Sequence, residues 1–81
     1  MHQLSTRDLR KHERIKFELR LAGSSLADVS RRIGVSQGAV SMVSVGRKRS
    51  KKIETAIAAE LGKTPEQLWP SRYQDRRVAM T

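Results

Sequence analysis

The 81-residue sequence has no cysteine, only three aromatic residues and no apolar run near the ~20 residues that a membrane-spanning helix requires. The lack of cysteine excludes disulfides and thiolate metal sites. Its two histidines, His2 and His12, have no ligand spacing around them, so we expect no metal ion and no cofactor. No signal-peptide core follows Met1. We therefore expect a soluble, cytoplasmic chain of one domain that has no membrane partner.

Acidic residues are also scarce, because 17 lysines and arginines stand against 8 aspartates and glutamates, which leaves a net charge of +9. A small domain this basic favours a polyanionic partner, which is DNA, RNA or, less often, an anionic membrane surface. The steepest local charge is the run Arg47-Lys48-Arg49-Ser50-Lys51-Lys52. The run directly follows the second of two helices that residues 25–43 predict. This position favours contact with phosphates over a role in solubility alone.

Residues 25–43 have the periodicity of two short helices joined by a tight turn. Leu26, Val29 and Ile33 recur at i, i+3 and i+7, which places them on one face of the first helix. Gly34 stands where this helix must end, since glycine adopts the left-handed conformation without a Cβ penalty. This pattern predicts the first half of a helix-turn-helix.

The second half follows at once and has its own start signal. Ser36 predicts a cap for the second helix, and Val40 and Val43 form its inward stripe. Ser25 and Asp28 predict a capping box for the first helix in the same way. The whole pattern predicts a helix-turn-helix, whose second helix lies in the major groove of DNA.

Three further helices are predicted around this pair, and we expect an all-α fold. Thr64, Pro65 and Gln67 form a strong start signal for the last helix, in which Trp69 is predicted to be a core residue. The predicted ranges are 7–22, 51–61 and 65–69 for the helices, 1–6 for a flexible N-terminus, 7–73 for the domain and 74–81 for a flexible basic tail.

The outward residues of the second helix are the candidate readers of bases. Gln37 alone can make a two-pronged amide contact with adenine, and Ser44 lies at the margin of this face. The predicted base-reading residues are Gln37, Gly38, Ser41 and Met42. The predicted phosphate-binding residues are Ser25, Arg31, Ser36, Arg47, Lys48, Arg49, Lys51 and Lys52.

Two stretches resemble a known family of regulators. The run Leu68-Trp69-Pro70-Ser71-Arg72-Tyr73 resembles the I-W-P-S-R-Y signature that closes the domain of Ner-like regulators. Ser25-Leu26 and Ser30-Arg31-Arg32-Ile33-Gly34 also resemble that family's S-L…S-R-x-x-G segment. The order of the helices resembles the lambda-repressor-like fold. The resemblance implies a five-helix domain with the helix-turn-helix at about 25–44.

The same resemblance implies a DNA-binding transcription regulator, since the phage members repress early or transposition genes. The chain departs from the family at two places. It lacks a tryptophan near the start of the first helix, and it has the basic run 47–52 where the family tends to carry a W-P-K-type sequence. These departures concern the operator and the way the loop meets the DNA backbone.

We predict a sequence-specific regulator of double-stranded DNA, a phage or prophage-type repressor. We expect a monomer or weak homodimer that pairs on DNA. No catalytic constellation is present, so we expect neither an enzyme nor a small-molecule substrate. Two alternatives stay open, an RNA-binding or ribosome-associated basic protein and a protein-interaction module on the same fold. An RNA-binding protein would explain the positive charge but not the helix-turn-helix motif. A protein-interaction module would require an apolar surface patch.

Overall fold

The computed structural model describes residues 5–73, which contain helices and no β-strand and so confirm the all-α prediction. Within this range, no helix combines the length and the apolar character needed to cross a membrane. The helices are α1 (Thr6–Leu21), α2 (Leu26–Ile33), α3 (Gln37–Val45), α4 (Lys51–Glu60) and α5 (Pro65–Leu68), and the backbone is helical again at 70–73. Ser5 caps α1, while residues 1–4 and 74–81 of the predicted flexible ends lie outside the described residues.

Side-chain caps are present at the predicted starts of α2 and α3. The Ser25 hydroxyl accepts from the Asp28 amide at 3.0 Å, and the Ser36 hydroxyl accepts from the Ala39 amide at 3.1 Å. Gly34 ends α2 with a φ of 73°, as the sequence predicts. The predicted start signal at Thr64 and Gln67 is a capping box with both of its hydrogen bonds present. Of the capping box predicted for Ser25 and Asp28, only the bond to the Ser25 hydroxyl is present, and the Asp28 carboxylate pairs with Arg31 instead.

The core lies where α2 and α3 pack on each other and against α1 and α4. Val40 and Val43 of α3 are completely buried, and Val29 of α2 is nearly so, which confirms the inward stripes. Trp69 is buried after α5, as predicted. The same hydrophobic core also contains Ile15, Leu19, Leu26, Ile53, Ile57, Ala58 and Leu68.

A buried carboxylate joins α4 to the basic loop and to the end of the domain. Glu54 of α4 is only 1% exposed, and it accepts hydrogen bonds from Arg49 Nε at 2.8 Å, from Arg72 Nη1 at 3.5 Å and from the Tyr73 hydroxyl. Burial and the nearby Glu54 raise the pKa of the Tyr73 phenol. An isolated carboxylate at this depth is very costly, so the three donors are what allow it to be buried.

Arg72 also ties the end of the domain to the end of α3. Its guanidinium lies over the Trp69 ring at 4.4 Å, and Nη2 donates to the Ser44 carbonyl at 3.1 Å. Burial lowers the pKa of Arg72. Gly46 ends α3 with a φ of 97°, and a Cβ there would lie 3.3 Å from Arg72 Nη2. Arg72 and Tyr73, the last two residues of the run that resembles the Ner-like signature, therefore stabilise the fold through these contacts.

Replacing Glu54 with alanine removes the buried carboxylate that accepts hydrogen bonds from Arg49, Arg72 and Tyr73. We expect Glu54→Ala to lower the free energy of unfolding by about 3–5 kcal/mol, measured by urea denaturation with circular dichroism. Glu13→Ala is the control, because the Glu13 carboxylate is exposed and its one ion pair within residues 5–73 is the surface pair with Lys16. Its expected effect is within about 0.5 kcal/mol, and equal losses in the two variants would contradict the role of Glu54.

Candidate nucleic-acid interface

The outward face of α3 is held in place by its buried side. Since Val40 and Val43 are fixed in the core, the residues between and before them project away from it. Gln37 and Gly38 are exposed at the start of the helix, Met42 is 43% exposed, and Ser41 is half-buried. The four predicted base-reading residues therefore share one accessible face.

Ser44 does not belong to this face, and its assignment to the margin of the reading face is wrong. It is 1% exposed, because α1 and Arg72 cover the last turn of α3. Its hydroxyl lies 2.8 Å from His12 Nδ1. Burial, followed by the charge of Lys16, lowers the pKa of His12. Ser44 is thus part of the contact between α1 and α3.

Gly38 leaves open space on the reading face. A Cβ built on it would meet no atom within 4 Å, and its backbone is helical. Neither packing nor a left-handed conformation therefore requires glycine here. Gly38 is the second residue of α3, and glycine there brings no packing benefit to the fold. The missing side chain instead exposes the backbone of α3 to an incoming ligand.

A cleft of about 180 Å³ adjoins the start of the reading helix. Lys16 and Arg20 of α1 line it together with Ser25 and Gln37. The first amides of α2 and the positive end of its dipole lie at the same place, which favours an anion. Sequence analysis missed Lys16 and Arg20, although their i, i+4 spacing places them on one face of α1.

Most of the predicted phosphate-binding cations are exposed. Arg31 pairs with Asp28 on the surface, and such an exposed pair is weak enough to exchange for a phosphate. Four others have no carboxylate partner among residues 5–73, namely Arg47, Lys48, Lys51 and Lys52. They follow α3 directly, in the loop and at the start of α4.

Arg49 differs from its neighbours in the basic run. Its Nε donates to the buried Glu54, and its guanidinium lies 5.3 Å from the centre of the Tyr73 ring. The hydrogen bond to Glu54 is the main cause that raises the pKa of Arg49. The side chain is still 56% exposed, so Arg49 anchors the loop to the core while one edge faces solvent.

Comparison with known proteins agrees with this geometry. A family model described as winged helix-turn-helix DNA-binding matches residues 9–81. A negative regulator of transcription from Escherichia phage D108 is 41% identical over 59 residues, which make up 73% of this chain and 78% of that protein. No solved structure matches the chain. The helix-turn-helix corresponds to α2 and α3, and residues 5–73 contain no β-hairpin wing. The chain belongs to the winged helix-turn-helix DNA-binding family.

Proposed function

We propose that this protein is a phage-type repressor that binds double-stranded DNA sequence-specifically, with α3 in the major groove. The observation that carries the proposal is the accessible face of α3 beside four cations that have no carboxylate partner in residues 5–73. The name of the D108 relative, a negative regulator of transcription, supports repression as the direction of control. The Ner-like closing signature points to the same class.

Base reading would depend mainly on Gln37. As the first residue of α3, it can present its amide to the N6 and N7 edge of an adenine. Met42 could contact a thymine methyl, and Ser41 could hydrogen-bond to either type of base. Gly38 would let the helix backbone approach the base edges closely. Because this set of readers is small, DNA shape and deformability would supply part of the specificity.

Phosphate contacts would supply most of the affinity. The helix N-termini at Ser25 and Ser36 offer backbone amides to phosphates on either side of the groove. Lys16 and Arg20 would extend the first of these contacts through the cleft. The remaining charge comes from the predicted set, which is Arg31, Arg47, Lys48, Lys51 and Lys52, with Arg49 contributing its exposed edge.

Pairing on DNA would bring two copies to adjacent half-sites. One helix-turn-helix reads only a few base pairs, so useful affinity normally requires two of them about one turn of DNA apart. We propose a monomer or weak homodimer in solution that pairs on the operator. The proposed DNA-binding domain is 7–73, and the protein has no catalytic role.

Selection of bound duplexes from a random pool by the full chain tests the proposed function. We expect an enriched motif that occurs twice, with centres about one helical turn, or 10 base pairs, apart. Structured RNA of equal length should compete poorly against the selected duplex. Failure to enrich any duplex, or stronger competition by RNA, would overturn the proposal.

Gln37→Ala on the selected duplex tests the base-reading role. We expect binding to weaken by about 1–3 kcal/mol on the preferred site, because a two-pronged contact with a base is lost. Binding to random duplex DNA should stay unchanged, since that binding depends on phosphates. Fluorescence anisotropy on both duplexes measures the two effects. Equal weakening on random DNA would remove Gln37 as a base reader.

Arg47→Gln combined with Lys48→Gln tests the loop. If about five of the proposed cations contact phosphates at one time, log K should fall with log salt at a slope near −4 to −5, and this variant should flatten the slope by nearly two. The flattening should occur on every duplex. Arg7→Gln with Arg10→Gln removes the same charge from α1 and is expected to change the slope little. An unchanged slope in the loop variant would place the loop outside the interface.

A further inference from the structure

A second cavity lies on another side of α1. It is a groove of about 520 Å³ between the first half of α1 and the segment that leads into α5. We call it the α1–α5 groove. Its cations outnumber its acids by far, and one apolar residue contributes to its wall. The residues that matter here are Arg7, Arg10, Lys11, Arg14, Lys63 and Leu68.

The α1–α5 groove has more positive charge than the chain neutralises. Its one carboxylate, Glu18, is shared by Arg14 Nε at 2.8 Å and Lys63 Nζ at 3.5 Å. The hydrogen bond from Arg14 is the main cause that lowers the pKa of Glu18. The other three cations, Arg7, Arg10 and Lys11, have no carboxylate partner among residues 5–73.

The rest of the sequence does not supply the missing acid. Residues 1–4 carry none, and residues 74–81 add Asp75 together with Arg76 and Arg77. A second copy of this chain is also a poor counterpart, since each copy has a net charge of +9 and like charges repel. The charge of the groove therefore calls for a different, acidic molecule.

An exposed apolar pair lies on α1 beyond the residues that line the α1–α5 groove. Phe17 is 52% exposed and Leu21 is 72% exposed. Arg10, Arg14, Phe17 and Leu21 follow one another at spacings of four, three and four, so they form one stripe on the helix surface. This stripe is basic in its first half and apolar in its second half. A ligand that covers all of it must be acidic at one end and apolar at the other.

This stripe is turned away from the proposed DNA interface. Arg14 lines the groove and Lys16 lines the cleft beside Gln37, and side chains two residues apart on a helix project about 200° apart. Phosphates could satisfy the cations of the groove but would gain nothing from Phe17 and Leu21. The combination therefore favours a protein partner over a second nucleic acid.

We propose that the α1–α5 groove docks an acidic amphipathic helix of a partner protein. Carboxylates of that helix contact Arg7, Arg10 and Lys11, and its apolar side chains cover Phe17 and Leu21. Because α3 faces elsewhere, the partner and DNA bind the same molecule together. The proposal depends on the residues of the α1–α5 groove and on the exposed end of α1, not on α3, so it stands or fails independently of the DNA-binding proposal.

The probe for this site is a fluorescent synthetic helix of ~18 residues built from Glu, Leu and Ala. In the first half of the probe, glutamates stand at i, i+3 and i+4, and in the second half leucines stand at i and i+4. Alanines occupy the remaining positions. Anisotropy with the full chain is measured at about 0.15 M salt, where surface charges more than ~8 Å apart are largely screened. We expect the probe to bind at least about ten-fold more tightly than a shuffled peptide or an all-glutamate peptide, which lack the apolar end.

Three double variants separate this groove from the DNA interface. Arg7→Glu with Arg10→Glu, and Phe17→Gln with Leu21→Gln, should each weaken probe binding about ten-fold and leave binding to duplex DNA nearly unchanged. Lys51→Glu with Lys52→Glu makes the same charge change as the first variant at the proposed phosphate contacts. It should weaken DNA binding and keep the probe affinity. All six residues are exposed, and circular dichroism verifies that the variants are folded.

The opposite pattern would overturn the proposal. Equal binding of the shuffled peptide, or full probe affinity in either groove variant, would show that the groove does not select an acidic amphipathic helix. If the Lys51 and Lys52 variant lost as much probe affinity as the Arg7 and Arg10 variant, probe binding would depend on the net charge of the protein and not on the groove. If the Arg7 and Arg10 variant instead lost DNA binding as strongly as the Lys51 and Lys52 variant, the groove would belong to the nucleic-acid interface.

Discussion

The carboxylate of Glu54 joins three parts of the chain that are distant in sequence. Its own helix supplies the anion, the basic loop supplies Arg49, and the last described turn supplies Arg72 and Tyr73. A charge this deeply buried is tolerated only while its donors stay in place, so the segments are held together as a set. Arg72 also bonds to the carbonyl of Ser44, which carries the constraint to the end of the reading helix.

The positive charge of the protein is therefore divided among different tasks. Arg49 and Arg72 neutralise the buried carboxylate, although the sequence predicted Arg49 to bind phosphates together with the rest of the basic run 47–52. Arg47 and Lys48 sit on the loop that Arg49 anchors, and they remain exposed. Because Arg49 already fixes the loop, Arg47 and Lys48 are held beside α3. Their binding to a partner would therefore cost little further conformational entropy of the chain. Net charge alone does not distinguish these roles.

Helix α1 separates two surfaces of different character. On one side Lys16 and Arg20 lie next to the start of the reading helix, and on another side Arg10 and Arg14 lead to exposed apolar residues. The sequence did not indicate an apolar surface patch of the kind that a protein-interaction module needs. Such a patch becomes visible once packing shows which side of α1 is covered, because helical periodicity alone leaves that choice open.

Local features were determined by the sequence itself. Ser36 and Gly34 act on groups within a few residues of themselves, so helix starts, helix ends and the helix-turn-helix could be predicted from neighbours in the chain. Tertiary structure alone decided the burial of Ser44 and the pairing of Glu54 with Tyr73, which is 19 residues away. It also decided which cations stay free for a partner. Such contacts depend on how whole helices pack, and the spacing of residues along one helix carries no information about them.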